Sequence, residues 1–119
     1  MDEVKTIQEL KEKVKNFCAE RDWDQFHSPK DLAIGLSTES AELLELFRFK
    51  SDAEILNKMQ DMQFRQKIQN ELADTLFFIL RFAQKNDMDL VSALQEKMKI
   101  NAANYPVEKA KGSNKKYDE

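Results

Sequence analysis

The sequence predicts an all-α protein, a helical subunit whose long helices form a four-helix bundle across an oligomer interface. Three observations lead there. Only two glycines and two prolines occur in 119 residues, and apolar and polar residues rarely alternate, so turn-bounded strands are not written into the chain. Apolar positions recur instead at helical spacing behind capping signatures. One segment, Leu72 to Ala83, is apolar almost all round, which is more surface than so short a chain can cover alone.

The elements follow in order. Thr6 with Glu9 forms a capping box, and Ile7, Leu10, Val14, Phe17 and Cys18 make one apolar stripe of a helix that fades near Arg21. Cys18 falls on that stripe and reads as core filler. The loop RDWDQFHSP carries Trp23, Phe26 and the single histidine, His27. Ser28, Pro29 and Asp31 then open a second helix, with proline at its first position, expected to run to about Phe49. Gly35 inside it reads as a tolerated helix glycine, costing about 1 kcal/mol against alanine; a close helix approach is the sharper alternative. Ser51 with Glu54 opens a short third helix, and a break is expected around Gln60 to Phe64. The next helix runs from about Phe64 to Lys85. Its all-round apolar stretch, Leu72, Leu76, Phe77, Phe78, Ile79, Leu80 and Phe82, implies a homodimer or homotetramer. Asn86 can end it and Asp89 can cap the last helix, which stops before Tyr105 because Pro106 disfavours helix there. The expected organisation is one helical domain over 1–105 and a polar, lysine-containing tail over 106–119.

Composition narrows the function. Charged residues are 34% and hydrophobic ones 41%, and the net charge is −3, which describes an ordinary folded protein. No basic run favours a nucleic-acid polymer. No apolar stretch is long enough for a membrane span, and the segment MDEVKTIQEL has no signal-like core. With a lone cysteine, a cytoplasmic location is expected.

The chemistry lies in two carboxylate ladders. Glu39, Glu42 and Glu45 follow one another at three-residue steps, as do Glu71 and Asp74. That spacing puts neighbours about one helical turn apart, and leucine, alanine and phenylalanine surround them. Carboxylates gathered away from water repel one another unless a cation sits among them. Oxygen-only ligation selects Mg²⁺, with Mn²⁺ the other suitable ion. No histidine follows either ladder, which disfavours the Glu-x-x-His chemistry of di-iron bundles. Magnesium shares its coordination sphere readily with phosphate oxygens, so phosphate-ester or phosphoanhydride hydrolysis is the natural reaction class. Glu-x-x-Glu alone is commonly a solvated helix face. Asp74 is the informative acid because LADTLFF leaves little room for a solvent-facing one, and Glu45 reads as auxiliary.

Taken together, ERDWDQFHSP, STESAELLELF, NELADTLFFILRFA and KMKINAANYP resemble the MazG-like nucleoside triphosphate pyrophosphohydrolases, and within them the small dCTP pyrophosphatase branch. The resemblance runs from about Phe17 through Tyr117. It implies Mg²⁺-dependent hydrolysis of a nucleoside triphosphate, dCTP or a modified cytosine nucleotide among them, to the monophosphate and pyrophosphate. It implies Glu39, Glu42, Glu71 and Asp74 as metal ligands and Lys97 and Asn101, with Tyr105 close by, as phosphate or sugar contacts. Trp23, His27, Phe49 and Phe78 stand where the branch encloses the base, Phe49 in place of a tryptophan and Phe78 in place of a tyrosine. On their own spacing these four residues also suit packing roles. Two other readings stay open: a non-catalytic helical interaction module whose acids bind a structural ion, and the same fold acting on dUTP or another nucleotide.

Overall fold

The computed structural model describes residues 5–118, and every regular element among them is helical. In chain order these are α1 (Ile7–Glu20), a 3₁₀ turn (Asp24–Phe26), α2 (Pro29–Glu45), α3 (Asp52–Lys58), α4 (Met62–Lys85), α5 (Leu90–Asn104) and α6 (Val107–Ala110). The starts follow local chemistry. Thr6, Ser28, Ser51 and Asp89 each accept a hydrogen bond from the backbone N–H three residues on, at 3.0, 3.1, 3.2 and 3.0 Å. Asp61 does the same for α4 through the N–H of Gln63 at 3.0 Å. Each bond satisfies an N–H that a helix start otherwise leaves without a partner.

Two boundaries differ from expectation. α2 stops at Glu45 and continues only as turns to Phe49: the N–H groups of Leu46 and Phe47 reach three residues back, to Leu43 and Leu44, and Phe49, in a left-handed conformation at φ 64°, bars any resumption of the helix. The tail is not wholly irregular, since Pro106 starts the short α6. The chain forms two compact units, one ending at Asp87 and a second beginning at Met88. Residues 1–4 of the expected domain and residue 119 of the expected tail lie outside the described residues.

In the first unit, α1 and α2 both pack on α4. Cys18, Leu32, Phe64, Leu80 and Ala83 form its buried apolar core, and burial pushes the Cys18 thiol up from its ordinary value. Phe17 meets Phe77 edge-on at 5.9 Å and Phe47 meets Phe64 at 5.9 Å, a geometry aromatic pairs favour. Gly35 is where the simpler expectation fails. A Cβ there would lie 2.4 Å from the Phe78 ring, well inside contact distance. The glycine is retained for close approach of α2 to α4, and the ring fills the space a side chain would take. Overpacking such a contact costs roughly 1–3 kcal/mol, which outweighs the helix propensity that alanine would add.

The second unit contains α5, α6 and the tail. Tyr105 ends α5 and meets Tyr117 edge-on at 5.8 Å. No helix among the described residues is long and apolar enough to cross a membrane.

Candidate metal centre

Glu39 and Glu42 lie on α2, Glu71 and Asp74 on α4. The two helices run antiparallel: Gly35 faces Phe78, and moving up α2 to Glu39 and Glu42 corresponds to moving down α4 to Asp74 and Glu71. Glu39, Glu42 and Glu71 each bring one carboxylate oxygen within 4.8 Å of the others. Glu39 Oε2 and Glu71 Oε2 are shut off from solvent and have no hydrogen-bond partner. Buried acceptors of this kind are rare in native proteins and call for an explanation.

The electrostatics point the same way. Burial, followed by the neighbouring carboxylates of Glu42, Asp74 and Glu71, pushes Glu39 up to about 7. Glu71 is also raised, chiefly by burial and then by Glu42. Like charges gathered this closely cannot all ionise comfortably unless a cation lies among them. Three carboxylates with no nitrogen or sulfur donor among them suit a hard divalent ion, so Mg²⁺ or Mn²⁺ fits the residues present.

Glu45 does not join this group. Three residues turn a helix by 300°, so each rung of the ladder drifts by about 60°, and two rungs carry Glu45 off the face of Glu39. It pairs instead with Arg48 at 2.6 Å. Asp74 stands close enough to raise Glu39 electrostatically, yet it is exposed and is not one of the three converging carboxylates. The expectation that its apolar neighbours would bury it fails in the single chain, because Leu72 and Leu76 are themselves 51% and 43% exposed.

Trp23, His27, Phe49 and Phe78 lie in the first unit and Lys97, Asn101 and Tyr105 in the second. Trp23 packs edge-on against Phe17 at 5.6 Å and His27 at 6.1 Å. The Phe78 ring lies over Gly35 and against Phe77, so its packing role is real. Phe49 is 91% exposed, with the Arg48 guanidinium 4.4 Å above its ring. A bulky residue held at positive φ with its ring in water is a strained arrangement. Lys97 and Asn101 are exposed on α5. Tyr105 and Tyr117, with Lys109, Lys115 and Lys116, line a cavity of about 160 Å³ in the second unit.

One residue was not foreseen. Arg81, in the most apolar part of α4, is buried and bonded to His27 Nδ1 at 2.9 Å, to Gln84 and to Asp24. Its signal in the sequence is a lone arginine inside LFFILRFA, with acids in the RDWDQFH loop to receive it.

Known proteins resemble this chain over most of its length. Residues 34–119 match the model of the MazG-like family. The chain is 39% identical over 112 residues to dCTP pyrophosphatase 1 of Rattus norvegicus, covering 94% of this chain and 66% of that protein. It is 38% identical over 114 residues to dCTP pyrophosphatase 1 of Homo sapiens, covering 96% and 67%. The chain thus spans about two thirds of the length of these relatives. The crystal structure of a pyrophosphatase from Archaeoglobus fulgidus superposes with a TM-score of 0.78 at 29% identity, over 89% of this chain and 97% of that one.

Proposed function

The chain belongs to the MazG-like family, and from that premise we propose that it hydrolyses a (deoxy)nucleoside triphosphate, dCTP or a modified cytosine nucleotide foremost, to the monophosphate and pyrophosphate. The observation that carries this reading is the pair of buried, partnerless oxygens, Glu39 Oε2 and Glu71 Oε2, within a three-carboxylate cluster. Glu39, Glu42 and Glu71 would hold Mg²⁺, with Asp74 beside them. When bound, the ion supplies positive charge to the phosphates and acidifies a water. A carboxylate of the cluster takes the proton of the attacking water. The water oxygen bonds to the α-phosphorus, the α–β anhydride bond breaks, and its electrons leave on pyrophosphate. Trp23, His27, Phe49 and Phe78 serve the base or sugar in this reading, and Lys97, Asn101 and Tyr105 the phosphates or sugar.

Incubation with Mg²⁺ and a panel of nucleoside triphosphates tests it, with pyrophosphate and orthophosphate separated. Pyrophosphate and a monophosphate are expected, with dCTP among the better substrates. Orthophosphate with a diphosphate would overturn α-attack, and no turnover of any nucleotide would leave a structural-ion module as the reading. Preference for dUTP would keep the reaction and change its substrate.

The same reading pairs α2 and α4 with those of a second copy, as a dimer or a dimer of dimers. Leu72, Leu76 and Ile79 form one stripe of α4 and remain 51%, 43% and 37% exposed. Covering such a stripe completes a four-helix bundle. Light scattering at micromolar concentration is expected to give a mass at least twice the 14.0 kDa of one chain, and Leu76→Asp is expected to reduce it. A fully active monomer would remove the second copy from the proposal.

A further inference from the structure

Arg81 is 1% exposed and stands among apolar side chains, where a guanidinium persists only with its donors engaged. All three of its nitrogens are used. Nε donates to His27 Nδ1 at 2.9 Å, Nη1 donates to Gln84 Oε1 at 2.7 Å, and Nη2 pairs with the Asp24 carboxylate. Lys85, one turn further on, donates to the Asp24 carbonyl. Two cations of α4 thus fasten the 3₁₀ turn and His27, which lies 54 positions earlier in the chain.

The consequence falls on the imidazole. A guanidinium has donors only, so Nδ1 must accept, and a neutral ring then carries its hydrogen on Nε2. Burial, then the charges of Arg81 and Lys85, hold His27 below its ordinary value, while Asp24 and Asp31 pull the other way. These are the charged groups that face it from α4, the 3₁₀ turn and α2. The clamp also shares a face with the carboxylates. Glu71, Asp74, Phe78, Arg81 and Lys85 follow one another at alternating steps of three and four, which is one stripe of a helix. Arg81 lies roughly 10 Å along that stripe from Asp74, at 1.5 Å per residue.

We propose that Arg81 is a positioning residue: it holds His27 as a neutral ring with its hydrogen on Nε2, and so presents that N–H as a donor to an acceptor atom on the base or sugar of the substrate. This rests on the nucleotide reading above. A pyrimidine carbonyl oxygen or a sugar oxygen is the chemistry such a donor recognises.

His27 is the only histidine, so ¹⁵N spectra of the labelled whole protein report one ring. The wild type is expected to show the Nε2–H tautomer alone between about pH 6 and 8, and its Nε2–H signal is expected to move when Mg²⁺ and the preferred triphosphate are added. Arg81→Met is expected to release both tautomers, to return the ring's titration towards the ordinary imidazole range, and to raise KM about tenfold with kcat little changed, the loss of roughly one hydrogen bond. Arg81→Lys, which keeps the charge but not the planar fork, is expected to fall between. A wild-type ring protonated at Nδ1, or averaging between tautomers, would overturn the proposal, and this spectrum requires no variant to fold. Unchanged tautomer and KM in a folded Arg81→Met protein would do the same. A chain with the locked ring that hydrolyses no nucleotide sinks the nucleotide reading while upholding the clamp; a chain that hydrolyses nucleotide with an unlocked ring sinks the clamp alone.

Discussion

Glu39→Gln and Glu71→Gln are each expected to lower kcat/KM for Mg²⁺-dependent triphosphate hydrolysis by on the order of 10²–10³-fold, the loss of several kcal/mol of charge stabilisation at 1.36 kcal/mol per tenfold. The same substitutions are expected to raise, not lower, the melting temperature of the metal-free protein. Each removes a carboxylate from a cluster in which Glu39 is pushed up to about 7 by burial and by its neighbours. Activity and stability should therefore move in opposite directions, a pattern that unfolding cannot produce. Glu45→Gln is the control. Its carboxylate is occupied by Arg48 at 2.6 Å, and a surface pair of that kind contributes at most about 1 kcal/mol. Its effect on turnover should stay within a few-fold. Parallel steady-state kinetics and calorimetric melting decide the matter. Unchanged turnover in Glu71→Gln would remove the cluster from the reaction.

The second large effect is on stability against pH and metal. Between the ordinary carboxylate range and about 7, the folded protein keeps a proton on Glu39 that the unfolded chain releases. The unfolded state then binds fewer protons, so stability falls as pH rises through that window. Glu71, raised as well, contributes in the same direction. Metal-free protein is expected to melt at steadily lower temperature from about pH 5 to pH 8. Mg²⁺ competes with those protons, so its stabilisation should grow over the same range. At an ion concentration about 100 times its Kd the gain is about 2.7 kcal/mol, on the order of 10 °C for a domain of this size. Glu39→Gln should flatten both dependences. A melting temperature that ignores both pH and Mg²⁺ would show that no ion site forms.

What the sequence disclosed, and what it withheld, follows from the range of the interactions. The helix starts at Thr6, Ser28, Ser51 and Asp89 rest on side-chain bonds spanning three residues, so they can be read locally. The pairing of Glu39 and Glu42 with Glu71 was legible because an acid in an apolar helical context has few other uses. Glu45, auxiliary in the sequence reading, stands apart from the three because successive rungs at three-residue spacing drift by about 60°. The exposure of Asp74 is not legible locally, because its apolar neighbours Leu72 and Leu76 are themselves exposed in the single chain. Gly35 and Arg81 depended on partners more than forty positions away, Phe78 and His27; an arginine inside LFFILRFA stands out in the sequence, but neither its partners nor that of Gly35 can be read locally.

The contact of Gly35 with Phe78 would bear on which divalent ion the neighbouring carboxylates prefer. Mg²⁺ requires oxygens at 2.0–2.1 Å in a near-octahedral shell, whereas Ca²⁺ accepts them at 2.3–2.6 Å in a looser one. Glutamates reaching inward from two helices would hold such an ion, and the gap between those helices would limit how closely their oxygens can converge. That gap is held by a hydrogen atom on one helix and an aromatic ring on the other, about one turn along α2 from Glu39. Discrimination of ionic radius would then rest partly on a contact without a single polar atom, and Gly35→Ala, which must push the Phe78 ring aside, is expected to shift the Mg²⁺ to Ca²⁺ preference with the carboxylates left as they are, as metal-dependent melting would show.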